Sequence, residues 1–233
     1  MKTLGLIGGT GPESTVAYYK MLNEGVQKKT GNSGLLPHIL INSIDMYEMF
    51  RYIESGNMDI LADWLSAGFT ALKNAGADIL SFTAITPHIV YEKVCARTGL
   101  DIVDMREITA AHMKSLGITH SGLMGTLFTM EHDFVRRPML EQGISMTVPP
   151  AGDMTIIHDT IVNELELGQV RQESKKRLTG IIETLISHES LQAMVLGCTE
   201  LPLMFSEGDL SVPVIDPVEL HITYLAEKIT DPG

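Results

Sequence analysis

Short apolar runs alternate along this chain with longer segments in which apolar residues recur every three or four positions. Leu4-Gly5-Leu6-Ile7 is the first run and ends in a glycine turn. From about Pro12 to Lys29, the apolar positions Val16, Tyr19, Leu22 and Val26 keep a helical spacing. His38-Ile39-Leu40-Ile41-Asn42 predicts a second strand, and Met58 to Ala75 a long helix. Asp78-Ile79-Leu80-Ser81-Phe82 predicts a third strand. Leu100-Asp101-Ile102-Val103 predicts a fourth, followed by a helix to Leu116. This alternation implies parallel strands joined by helical crossovers.

The second half repeats the pattern. Gly122-Leu123-Met124-Gly125-Thr126 echoes Gly5-Leu6-Ile7-Gly8-Gly9 and opens a helix expected from Met130 to Gln142. Ala193-Met194-Val195-Leu196-Gly197-Cys198-Thr199-Glu200 echoes the stretch from Asp78 to Ile85, and each leads to a proline, Pro202 and Pro87. The two echoes are displaced by about 117 and about 114 residues, and the near-equal offsets mark an internal duplication. The fold class expected is α/β with two pseudo-symmetric lobes, each a parallel four-stranded sheet flanked by helices. Residues 1–98 with 212–233 are expected to form the first lobe and 99–211 the second. In this reading Val212-Pro213-Val214-Ile215-Asp216 and a last helix from Glu219 to Ile229 return to the first lobe. Open α/β sheets bind ligands at the carboxyl ends of their strands, so a cleft is expected among the loops after Ile7, Phe82, Met124 and Gly197.

Composition narrows the class of function. A hydrophobic fraction of 44% in 233 residues is that of a globular protein. The apolar start is too short for a signal peptide, and no stretch approaches a membrane span. Two separated cysteines, Cys95 and Cys198, make neither a disulfide framework nor a zinc motif and fit a reducing cytoplasm. The formal net charge of −12 argues against a nucleic-acid partner, because a phosphate backbone requires a basic patch. The expected partner is a small molecule.

Candidate chemistry collects at the strand ends. Gly8-Gly9-Thr10-Gly11-Pro12-Glu13-Ser14-Thr15 is a strand-to-helix turn whose free N–H groups favour an anion, or whose hydroxyls simply cap the helix. Thr126 and Thr129 stand in the same way at the turn after Met124. The spacing is neither a dinucleotide nor a triphosphate fingerprint. Cys198 follows an apolar strand, where helix N-termini lower a thiol's pKa and make it a base; the alternative is a small buried hydrophobe. Cys95 lies mid-helix and is assigned to packing. His88, in Thr86-Pro87-His88, follows a strand end and is placed to face the cleft, or is structural; the same holds for His221. Glu131-His132-Asp133 points its side chains in different directions and makes no metal site.

The strings Gly197-Cys198-Thr199-Glu200-Leu201-Pro202, Gly8-Gly9-Thr10-Gly11-Pro12-Glu13-Ser14-Thr15 and Gly125-Thr126-Leu127-Phe128-Thr129-Met130 resemble the aspartate/glutamate/hydantoin racemase superfamily, and within it the aspartate racemase branch. The resemblance extends through Asn163-Glu164-Leu165 and Val214-Ile215-Asp216 with Glu219 and His221. It implies a cytoplasmic homodimer without pyridoxal phosphate, metal or other cofactor. It implies acidic amino acids as substrates, with one cysteine of each lobe exchanging a proton with Cα. Carried over, Cys198 is the second-lobe acid/base. Thr126 and Thr129 hold a substrate carboxylate with Thr10 close by, and Thr86 and Thr199 line the cleft.

The first-lobe motif of that family is Cys-Asn-Thr followed by a small or apolar residue and His. Aligned on Thr86-Pro87-His88, Ala84 replaces the cysteine and Ile85 the asparagine. Thr83 adjoins the position, but neighbouring strand residues alternate in direction. Three readings follow. The first is a racemase in which Thr83, water or His88 serves the Ala84 position. The second is a one-cysteine isomerase or malonate-type decarboxylase, since protonating the carbanion left by CO₂ requires a single acid. The third is a binding protein for dicarboxylates or amino acids that has lost catalysis.

Overall fold

The structure, a computed structural model, describes residues 1–231. The chain divides into unit 1, residues 1–104 with the residues from His221 on, and unit 2, Met105–Leu220. In unit 1 the order is β1 (Leu4–Gly8), α1 (Pro12–Thr30), β2 (Ile39–Ser43), α2 (Met46–Glu54), α3 (Met58–Asn74), β3 (Ile79–Phe82), a 3-10 turn (Thr86–Val90), α4 (Tyr91–Thr98) and β4 (Ile102–Val103). The strands pair in parallel in the order β2-β1-β3-β4. Unit 2 contains α5 (Met105–Ser115), β5 (His120–Met124), α6 (Leu127–Glu131), α7 (Arg136–Glu141), β6 (Ser145–Thr147), α8 (Ala151–Asn163), α9 (Gln172–Glu189), β7 (Met194–Leu196) and β8 (Val214–Ile215). Its strands take the corresponding order, β6-β5-β7-β8, again all parallel. The final helix, α10 (Pro217–Thr230), begins in unit 2 and counts with unit 1 from His221 onward. Among the described residues no helix is long and apolar enough to cross a membrane.

The expected two-sheet α/β architecture is therefore present, with the divide moved at both ends. Ile102–Val103, placed in the second lobe by sequence, pairs with β3 in the first sheet, and Val214–Ile215 pairs with β7 in the second. Each strand is two residues long, too short for periodicity to reveal its partner. The helix expected from Met130 to Gln142 is broken into α6 and α7. Pro138 has no N–H to bond the carbonyl four residues back, and the Arg106 guanidinium donates to that Phe134 oxygen instead, at 2.8 Å. On α1, Val16 and Tyr19 are exposed, while Ser14, Tyr18, Leu22 and Val26 form the buried stripe.

The strands β1, β3 and β7 are buried along their whole length, which explains their unbroken apolar runs: a parallel sheet covered on both faces has no polar side. In unit 2, α8 and α9 cover the sheet with Ile157, Ile161, Leu178 and Ile182, against Met124, Met194 and Leu196.

A polar chain is locked inside unit 1. Tyr18 Oη lies 2.8 Å from His221 Nδ1, and Ser81 Oγ lies 2.9 Å from His221 Nε2. The Ser81 hydroxyl donates to the Val103 carbonyl at 2.8 Å, which spends its proton. His221 therefore donates from Nε2 to Ser81 and accepts at Nδ1 from Tyr18. The ring is fully buried, and burial, with His88 nearby, pulls its pKa from 6.5 to about 3. The unfolded chain takes up this proton below pH 6.5, whereas the folded chain refuses it until about pH 3. This contribution to stability is complete above pH 6.5 and is lost as pH falls, by about 2 kcal/mol between pH 6.5 and 5. Urea unfolding at the two pH values should show that loss in the native protein and not in His221→Gln. An equal loss in both would remove His221 as its source.

Gly9 anchors the first turn. Its φ is +81°, and a Cβ there would overlap the Ile44 carbonyl oxygen. Gly9→Ala should cost about 3 kcal/mol or more and lower the melting temperature by roughly 6–12 °C, measured by calorimetry.

Candidate active site

In unit 2 the neighbouring strands β5 and β7 end side by side, and the Gly197 N–H donates to the Met124 carbonyl at 2.7 Å. A Cβ on Gly197 would lie 3.0 Å from both the Met124 oxygen and Thr129 Cγ2, so only glycine lets the two loops approach this closely. Cys198 follows at once. It is partly exposed, packs against the unit 2 core, and its thiol donates to Glu200 Oε2 at 2.8 Å.

The electrostatics of this thiol run opposite to the expected lowering. Burial pushes the Cys198 pKa well up, and the Glu200 and Glu166 carboxylates push it further. Two of the α6 amides that were to favour an anion are already engaged. Thr126 caps α6 and accepts the Thr129 N–H at 3.4 Å, and His158 Nδ1 accepts the Leu127 N–H at 3.4 Å. The hydroxyls of Thr126 and Thr129 lie 3.2 Å apart; Thr129 is buried and Thr126 half-buried. Thr199 and Glu200 are half-buried. The resting group is thus a thiol hydrogen-bonded to a carboxylate.

Unit 1 presents a matching but different loop. The Thr83 N–H donates to the Ile7 carbonyl at 3.0 Å, as Gly197 does to Met124. Thr83 is fully buried, its hydroxyl 3.2 Å from Thr15 Oγ1 and 3.5 Å from the Ile7 oxygen. Ser14 Oγ donates to the Thr83 carbonyl at 2.6 Å, tying α1 to this loop. Ala84 is buried at 6% exposure, and Thr86 is half-buried. His88, expected at the surface of a cleft, is fully buried. Its Nδ1–H donates to the Ile85 carbonyl at 3.0 Å, its Nε2 lies 3.5 Å from Asp104, and its ring packs on Phe82 and Tyr91. Thr10 sits in the glycine turn, 8% exposed, and its Oγ1 has no hydrogen-bond partner among the described residues.

Strand register equates the two loops. Gly5, Leu6 and Ile7 pair with Leu80, Ser81 and Phe82; Gly122, Leu123 and Met124 pair with Met194, Val195 and Leu196. Counting one residue past the anchoring N–H gives Ala84 in one unit and Cys198 in the other. The position carrying the thiol in unit 2 therefore carries a methyl group in unit 1. Sequence reasoning missed two polar groups of unit 2. Glu200 was visible only as part of a string, although a carboxylate two residues after a cysteine is a signal in itself. His158 comes from α8, distant in sequence, and no local motif marks it.

The model of the Asp/Glu/Hydantoin racemase family matches residues 7–225. Among solved structures, a Yersinia pestis protein assigned as an Asp/Glu racemase is 32% identical with a TM-score of 0.92, covering 99% of this chain and 100% of its own. An aspartate racemase homologue from Pyrococcus horikoshii is 33% identical with a TM-score of 0.86, at the same coverage. Picrophilus torridus aspartate racemase is 22% identical with a TM-score of 0.69, covering 98% of this chain and 94% of its own, a likeness of fold.

Proposed function

Because the chain belongs to the Asp/Glu/hydantoin racemase family, we propose that it is a racemase of acidic amino acids that works without pyridoxal phosphate, by proton transfer at Cα. The observation that carries this reading is the Cys198 thiol at the carboxyl end of β7, bonded to Glu200 at 2.8 Å. Cys198 is the acid/base. The hydroxyls of Thr126, Thr129 and Thr10 are assigned to the substrate's carboxylates, Thr10 because its Oγ1 is otherwise unsatisfied. Thr86 and Thr199 are assigned to the walls around the substrate. Thr83 and His88, committed to bonds inside unit 1, hold the Ala84 loop in place. The family resemblance extends the reading to a cytoplasmic homodimer.

A second reading is favoured by a specific observation. No thiol stands at Ala84, and the Thr83 hydroxyl is turned toward Thr15 and Ile7. A chain with one proton-transfer group suits a one-base isomerase or a decarboxylase of malonate type. Incubating L- and D-aspartate and L- and D-glutamate in D₂O separates the two, with Cα–H followed by NMR and enantiomers by chiral chromatography. Exchange with inversion supports the racemase. Exchange of one enantiomer without inversion supports the one-base enzyme. Silence with all four substrates would overturn the racemase reading for acidic amino acids.

A further inference from the structure

We propose that His158 completes a carboxylate-binding site with Thr126 and Thr129, its Nε2–H donating to a carboxylate of the molecule on which Cys198 acts. The proposal rests on the reading of the β5 and β7 strand ends as the substrate site and adds a recognition residue contributed by a distant helix.

The hydrogen bond that reaches His158 fixes its chemistry. A main-chain N–H can only donate, so the contact of 3.4 Å from the Leu127 nitrogen makes Nδ1 the acceptor. The ring proton therefore sits on Nε2. That N–H has no partner among the described residues, and the side chain is half-buried, so the fold holds the donor in place and leaves it unspent.

The threonine pair is in a similar condition. Thr126 Oγ1 accepts the Thr129 N–H at 3.4 Å, and the two hydroxyls lie 3.2 Å apart. One hydroxyl proton is used between them and the other remains. Two unspent donors, an N–H and an O–H, thus meet at the turn around Leu127, and a carboxylate has two oxygens to receive them.

This turn adjoins the thiol. A Cβ on Gly197, the residue before Cys198, would lie 3.0 Å from Thr129 Cγ2. Met154, one turn before His158 on the same face of α8, packs on the unit 2 core as Cys198 does. All of these residues belong to unit 2. Residues 125–130 and 197–203 contain neither lysine nor arginine, so neither loop supplies a cation for the carboxylate. The further donor has to come from another element, and α8 brings one.

Calorimetric titration of the full chain with L-aspartate, D-aspartate, succinate and malonate tests the assignment. For each probe that the native protein binds, His158→Leu should raise Kd about 10–100-fold, the usual effect of losing a hydrogen bond to a charged group. His158→Gln places an amide N–H where Nε2–H stands and should stay within about fivefold of native. Binding by His158→Leu within about threefold of native overturns the proposal, as does a native protein that binds none of the probes. If His158→Leu does not fold, the native protein decides by NMR of its histidine rings, with His158 assigned from the His158→Gln spectrum. The His158 ring should carry its proton on Nε2 and its signals should move when a probe binds. A proton on Nδ1, or signals that stay still, overturns the proposal. Deuterium exchange at Cα is followed separately. Malonate binding that is lost in His158→Leu, in a native protein that exchanges no acidic amino acid, would sink the racemase reading and keep the His158 site. Exchange undiminished in His158→Leu would do the reverse.

Discussion

Cys198→Ala should lose at least ~10³-fold in Cα hydrogen exchange with whichever acidic amino acid the native protein exchanges in D₂O. A positioned acid/base typically contributes ~10²–10⁴ in rate, and unit 1 offers no exposed proton-transfer group at the equivalent position to compensate. The fold should survive. The substitution removes one sulfur at the edge of the core and costs about 1 kcal/mol, within reach of an ordinary urea titration. Loss of exchange with stability lowered by no more than that cost assigns the chemistry to the thiol. Exchange that persists within tenfold would move the acid/base elsewhere and leave Cys198 as packing.

Ala84→Cys should run in the other direction and raise the interconversion of enantiomers by ~10²-fold or more. The register of the two sheets equates Ala84 with Cys198, and in the resemblance one cysteine from each half serves the reaction. The backbone at this position is already fixed by the Thr83 N–H on the Ile7 carbonyl and by Ser14 on the Thr83 carbonyl. The new sulfur enters a site now 6% exposed, so a cost of about 1–3 kcal/mol from crowding is expected alongside the gain. The measurement is chiral chromatography of L- and D-aspartate and L- and D-glutamate incubations, native against variant. Exchange that becomes inversion would show that the missing thiol alone limits the native protein. No gain in a folded variant would show that register equivalence does not carry chemical equivalence.

Much of the architecture was legible because parallel strands buried on both faces advertise themselves as apolar runs, and because the duplication displayed them twice. What escaped detection did so for identifiable reasons. Ile102–Val103 was read as a strand, but it and Val214–Ile215 are two residues long, and which sheet each joins is set only by pairing. Helix α2 went unread although Asp45 caps it by accepting the N–H groups of Tyr47 and Glu48, a local signal present in the sequence. The break between α6 and α7 depends on Pro138 and on Arg106, some 30 residues earlier in the chain. The position of Cys198 was readable; its acidity was not. A strand end suggested a lowered pKa, but the acidity is set by burial, by Glu200 and by Glu166, and a string of letters does not show which neighbours share a sulfur's surroundings. His88 failed for the converse reason: a residue after a strand end can turn inward, as this one does toward Asp104.

The matched anchors at Thr83 and Gly197 also bear on how such a protein changes over generations. In both units the hydrogen bond that fixes the loop belongs to the residue before the reactive position, and it is made by the main chain, so no side chain at Ala84 or Cys198 is needed to hold it. Reactivity and scaffold are therefore inherited separately. A lineage carrying this duplication can exchange, discard or regain a reactive group in one copy while the other continues to work, and selection can explore new chemistry without passing through an unfolded ancestor.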